Sequence, residues 1–135
     1  MGAMTTITGL HHVRVPVTQL DISTDWYASV FGFELDLYVE EEMGPIGAIL
    51  HHPTGVVLAL HIEPTRAAAL RGFSVVGLAV PSTSDLEQWI DRLDRLGSTH
   101  GAVTTGHLGW FLDVTDPDGL VVQLHTSAQP DAGEA

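Results

Sequence analysis

Two short apolar runs, each closing on a histidine, constrain the architecture of this 135-residue chain. Val56–His61 reads VVLALH and Leu120–His125 reads LVVQLH. Each follows a Pro-x-Gly turn, Pro53-Thr54-Gly55 in the first case and Pro117-Asp118-Gly119 in the second. Turn glycine and terminal histidine are both displaced by 64 residues between the copies. A turn, an apolar run and a terminal histidine recurring together mark an internal repeat, and a repeat restricts the fold to two copies of one unit.

The flanking sequence repeats in the same order. Leu10–Val17 alternates, with Val13, Val15 and Val17 on one face and His12, Arg14 and Pro16 on the other, the period of a strand. Asp21 or Ser23 caps a helix that carries Trp26, Tyr27, Val30 and Phe31 on one side, and Gly32 stops it. Strands are predicted over Phe33–Glu41, Ile46–His51 and Val56–Ile62, with a turn at Met43-Gly44-Pro45 between the first two. Glu63–Gly72 joins the halves, with a helical turn around Ala67–Leu70. The second half predicts a strand over Phe73–Val80 and a helix over Asp85–Leu96, capped within Ser82–Ser84 and stopped by Gly97. Strands over Thr99–Thr105, Trp110–Val114 and Leu120–Thr126 complete it. Each half is therefore β-α-β-β-β. The expectation is an α+β fold in a single domain, residues 8–126, built of two tandem βαβββ modules, about 8–62 and 73–126. Four strands with a helix on one side leave the other side bare. Pairing two bare faces predicts a barrel-like cleft about a pseudo-twofold axis, a concavity of the kind that holds ligands. Residues 1–7 and 127–135 are expected to be flexible ends.

Composition narrows the partners. Seventeen acidic residues against five basic ones give a net charge of −12. Nucleic acid is excluded as a partner on that balance, because its binding relies on Lys and Arg at the phosphates. No run of 18 or more apolar residues suggests a membrane span. The absence of cysteine removes disulfides, thiolate metal sites and a cysteine nucleophile, and it fits a cytoplasmic protein. The start lacks the basic and apolar regions of a secretory signal.

The stretch His-His-Val-Arg-Val-Pro-Val, then Trp-Tyr, then Phe-Gly-Phe-Glu-Leu, over residues 11–35, resembles the opening of the vicinal oxygen chelate superfamily. Asp-Pro-Asp-Gly at 116–119, ahead of the last strand, resembles it too. That superfamily includes glyoxalase I, extradiol dioxygenases, methylmalonyl-CoA epimerase, fosfomycin-resistance enzymes and bleomycin-binding proteins. The resemblance spans residues 8–126; it implies the fold and leaves the reaction open, because one fold hosts many chemistries. Metal-dependent members place ligands at up to four strand positions. The resemblance puts these on His12, Ala59, Val75 and Gln123. Ala59 and Val75 donate nothing, and Gln123 offers an amide where most members have a glutamate. A catalytic zinc needs about three protein ligands at ~2.0–2.2 Å, so the usual site is incomplete.

His61 and His125 lie two residues beyond Ala59 and Gln123 on the same strand faces, about 6.6–6.8 Å further along. They are expected to face each other across the cleft mouth, where a displaced metal site with His12 is the alternative. Arg14 shares the face of His12 and is a candidate partner for a ligand carboxylate or phosphate, or for a nearby acid of the chain. Trp110 and Phe111 alternate, so one of them faces inward and can stack on a flat ligand. Val75, Gly77, Ala79, Val57, Ala59 and Val121 leave room for an organic molecule.

Two functions fit this pattern. The first is a metal-free module that binds a small organic molecule, with Arg14, Ala59, His61, Val75, Trp110, Gln123 and His125 as contact residues. The second is a lyase, isomerase or dioxygenase that uses His12 as catalytic residue. Its divalent ion (zinc, nickel, manganese or iron) would be held by His12 with Gln123 or by a displaced site at His61 and His125. The binding reading is the one expected here, with no cofactor, and the resemblance implies a homodimer.

Overall fold

The computed structural model describes residues 5–127. In chain order it contains β1 (Val13–Val17), α1 (Leu20–Phe31), β2 (Glu34–Glu41), β3 (Gly44–His51), β4 (Val57–Ile62) and α2 (Pro64–Ala69). These are followed by β5 (Ser74–Ala79), α3 (Thr83–Leu96), β6 (Thr104–Gly106), β7 (Gly109–Thr115) and β8 (Val121–Thr126). The repeat is carried through to the topology. The N-terminal sheet has the order β1-β4-β3-β2 and the C-terminal sheet the order β5-β8-β7-β6. In each, one parallel pair (β1 with β4, β5 with β8) continues into an antiparallel meander.

Local chemistry explains the helix ends. Both main helices stop at a glycine in the left-handed region, Gly32 at φ 83° and Gly97 at φ 68°, where a Cβ would be strained. Ser82 caps α3, accepting from the Asp85 amide. Neither Asp21 nor Ser23 caps α1, which starts earlier, at Gln19, without a side-chain cap. The chain reverses at Glu42-Met43 rather than at Met43-Gly44-Pro45, since Gly44 already pairs with Glu41 and Pro45 with Glu40. The strand expected over Thr99–Thr105 shrinks to β6; upstream of it the chain grazes β7 at the His100–Val114 bridge, where the Gly101 amide donates to the Asp113 carbonyl and the Thr115 amide to the Thr99 carbonyl. The expected flexible ends fall largely outside the described residues, at 1–4 and 128–135.

One core serves both modules. Val15, Val17, Leu50, Leu58 and Leu60 from the first sheet join Leu112, Val114, Val122 and Leu124 from the second, with Tyr27, Val30 and Phe31 of α1 and Leu86 and Leu93 of α3. The modules meet through their helices. Phe31 and Trp89 are in ring contact at 5.6 Å, and Arg92 of α3 donates to the carbonyls of Ser29 and Val30 at the end of α1, where a cation suits the helix dipole. The Asp-Pro-Asp-Gly turn adds a polar lock. Asp116 accepts from the Tyr27 phenol at 2.9 Å and from the amides of Asp118 and Leu120, while Asp118 accepts from the Thr18 hydroxyl and amide.

This packing corrects the expected barrel-like cleft. Among the described residues the sheets are two separate four-stranded layers; neither closes on itself, and no strand of one is hydrogen-bonded to a strand of the other. The physical reason is that the helices occupy the shared core. Each sheet spends its Val- and Leu-rich face on that core, and the opposite faces remain outside it. No described helix is long and apolar enough to cross a membrane.

Candidate functional site

The residues singled out from the sequence divide between the two faces left outside the core. On the N-terminal sheet, strand register places Arg14, Ala59 and Ile49 in one row, and Pro16, His61 and Gly47 in the next. On the C-terminal sheet the rows are Ala79, His125 and Phe111, then Gly77, Gln123 and Asp113. Within one chain, therefore, His61 and His125 lie on different sheets, as do Arg14 and Gln123, and among the described residues no strand pairing joins the two sheets.

The second face is a shallow trough. Val75, Gly77 and Ala79 present small side chains along β5, and a Cβ added at Gly77 would meet nothing within 4 Å. Beside them a concavity of about 640 Å³ is lined by residues that include Val75, Ala79, Leu108, Gln123 and His125. The ring of His125 stacks on Phe111, with centroids 6.1 Å apart and planes 15° from parallel. Trp110 pairs with Thr126 and packs against the core, so the aromatic on the open face is its neighbour Phe111. Asp113, which the sequence did not single out, stands beside Gln123 with a buried Oδ1 that has no hydrogen-bond partner among the described residues. Its alternation with Phe111 was the available signal.

The first face is more polar. Glu63, just after β4, gathers His61 at 3.5 Å, Arg14 at 3.5 Å and Arg66 at 2.5 Å. His51 lies between two carboxylates, 3.1 Å from Glu34 on one side and against Asp36 on the other. Its two nitrogens point to different acids, which is not the convergence a metal ion needs. His12 precedes β1, is exposed, and shares a 2.9 Å hydrogen bond with the Nδ1 of His11.

The side chains at the superfamily's metal positions do not fit a divalent ion. Ala59 and Val75 carry no donor, His12 is tied to His11, and Gln123 is an amide. Among the described residues no group of three or more His, Asp or Glu side chains is placed to hold a metal. The chemistry these faces offer is hydrogen bonding, ring stacking and charge pairing.

The chain matches the family model described as the Glyoxalase/Bleomycin resistance protein/Dioxygenase superfamily over residues 9–124. A comparison with curated proteins returned no match. Among solved structures, it is similar to TnmS3, an antibiotic binding protein from Streptomyces sp. CB03234, at 22% identity and a TM-score of 0.72, covering 90% of this chain and 98% of that one. A glyoxylase/bleomycin resistance protein/dioxygenase domain from Frankia sp. EAN1pec gives 23% identity and a TM-score of 0.67, over 88% and 97% of the two chains. The fosfomycin resistance protein FosX from Listeria monocytogenes gives 16% and 0.71, over 89% and 93%. At these identities the likeness extends to the fold, and with the family match it settles the classification: the chain belongs to the glyoxalase/bleomycin resistance protein/dioxygenase superfamily.

Proposed function

We propose that this protein is a metal-free module that binds a small organic molecule on its open sheet faces. The observation that carries the reading is the trough of Val75, Gly77 and Ala79 beside Gln123 and His125. Space and stacking surface stand where the superfamily's metal-dependent members are expected to place ligands. An antibiotic binding protein among the similar folds is consistent with such a role. Two copies complete the site. Among the described residues the outer edges of β1 and β5 pair with no other strand, and joining them across two molecules would turn the first face of one copy toward the second face of its partner. The absence of cysteine supports a cytoplasmic setting.

Elemental analysis of protein purified without chelator or metal resin, with His12→Ala alongside, tests the metal-free half of this reading. The expected result is no stoichiometric divalent metal in either. A near-stoichiometric ion that disappears in His12→Ala would favour the enzyme reading, with Gln123, His61 or His125 completing the ligand set. A fragment screen by amide NMR tests the other half, with saturable shifts expected at Gly77, Gln123 and His125. Shifts confined to residues outside the two open faces would overturn it.

A further inference from the structure

We infer that the first open face carries an oxyanion pocket, formed by Arg14 and Arg66 around Glu63, that takes the carboxylate or phosphate group of a ligand with a short apolar body. This rests on the reading that the open faces bind ligand. The pocket holds about 390 Å³ and is lined by Arg14, Pro16, Glu63, Arg66, Ala69 and Leu70. Arg14 enters from β1, Arg66 from α2, and Glu63 from the joint between β4 and α2.

Glu63 is the pivot. Its side chain is 19% exposed; one oxygen takes Arg66 Nη1 at 2.5 Å, and the other lies 3.5 Å from Arg14 Nε and 3.5 Å from His61 Nδ1. One carboxylate thus serves two guanidinium groups and leaves one positive charge uncompensated. Arg14 meets Glu63 only through Nε, at the loose end of ion-pair range, and its side chain is 55% exposed. Its terminal nitrogens take no partner among the described residues, and these form the fork that matches an oxyanion. Glu63 lies beside the root of the guanidinium and leaves the fork free.

The charge is unusual in its setting. The chain has five basic residues and a net charge of −12, yet two of the five converge here. The repulsive field of the distant acids fades over about 8–10 Å at physiological salt, so contact with the guanidinium decides the sign of the interaction. Pro16, Ala69 and Leu70 supply an apolar wall, which favours an organic acid over a bare inorganic ion.

The test uses benzoate, phenylphosphonate, benzyl alcohol and inorganic phosphate as probes, read on the Arg14 Nε–Hε resonance of the full chain. Benzoate or phenylphosphonate should shift that resonance saturably and bind about tenfold or more tighter than benzyl alcohol. The tighter of the two assigns the oxyanion. Arg14→Gln should remove that preference, while Arg14→Lys keeps part of it by retaining the charge without the fork. The inference is overturned if benzyl alcohol binds as well as the two anions, if Arg14→Gln leaves their affinity unchanged, or if inorganic phosphate alone matches the phenyl probes. Probe shifts at Gly77, Gln123 and His125 with none at Arg14 would overturn this pocket and leave the small-molecule reading standing.

Discussion

Tyr27 illustrates how much of the fold rests on single polar contacts. Its phenol is buried among α1 and the core and donates to Asp116. Burial first, and the neighbouring Asp116 charge second, push the phenol well above its ordinary range, so it stays a donor. Tyr27→Phe should cost about 1–2 kcal/mol of unfolding free energy, since it leaves a buried carboxylate oxygen short of one donor; urea titration measures it. Asp116 has its own pH signature. Burial outweighs the three donors around it and raises its carboxyl above the ordinary value. Between the two values the folded chain holds a proton that the unfolded chain has released, so stability from this group falls as pH rises through that window. Asp116→Asn should flatten the decline in the urea midpoint as pH rises above the ordinary carboxylate value. The Asp-Pro-Asp-Gly motif was legible in the sequence, but its role as a clamp on Tyr27 and Thr18 was not, because those partners lie 89 and 100 residues away.

At the scale of elements, period and punctuation carried most of the information. Gly32 and Gly97 were readable as helix stops, and both take the left-handed conformation. Replacing either by alanine should cost about 1 kcal/mol in thermal or urea unfolding. Neither added Cβ would meet an atom closer than 3.9 Å, so the cost is conformational rather than steric. Strand alternation correctly separated Val15 and Val17 from Arg14, and Leu124 from Gln123 and His125. It failed over Thr99–Val103, where a single bridge to β7 replaces a ladder, and the ladder begins only at Thr104. Alternation also left Trp110 and Phe111 undecided; the core took the larger ring.

For the whole molecule, the barrel-like cleft was the expectation that failed. Periodicity says which face of each module is apolar. It does not say whether two modules join edge to edge or back to back through their helices, and here the contact of Phe31 with Trp89 marks the second arrangement. The proposed pairing of two copies follows from what that leaves uncovered, including Phe73 at 59% exposure at the entrance to β5. Light scattering should return twice the 14.5 kDa chain mass, and Phe73→Asp should shift the population toward single chains. A mass of one chain at all concentrations would remove the shared site from the proposal. The clamp between Asp116, Asp118 and the first module bears also on how the chain is made. Its partners lie 89 and 100 residues apart in the chain, so a ribosome must deliver that whole intervening stretch before Tyr27 and Thr18 meet their acceptors. The first module emerges with its helix docked on only one side, and the nascent chain completes its core in a late step rather than by steady accretion.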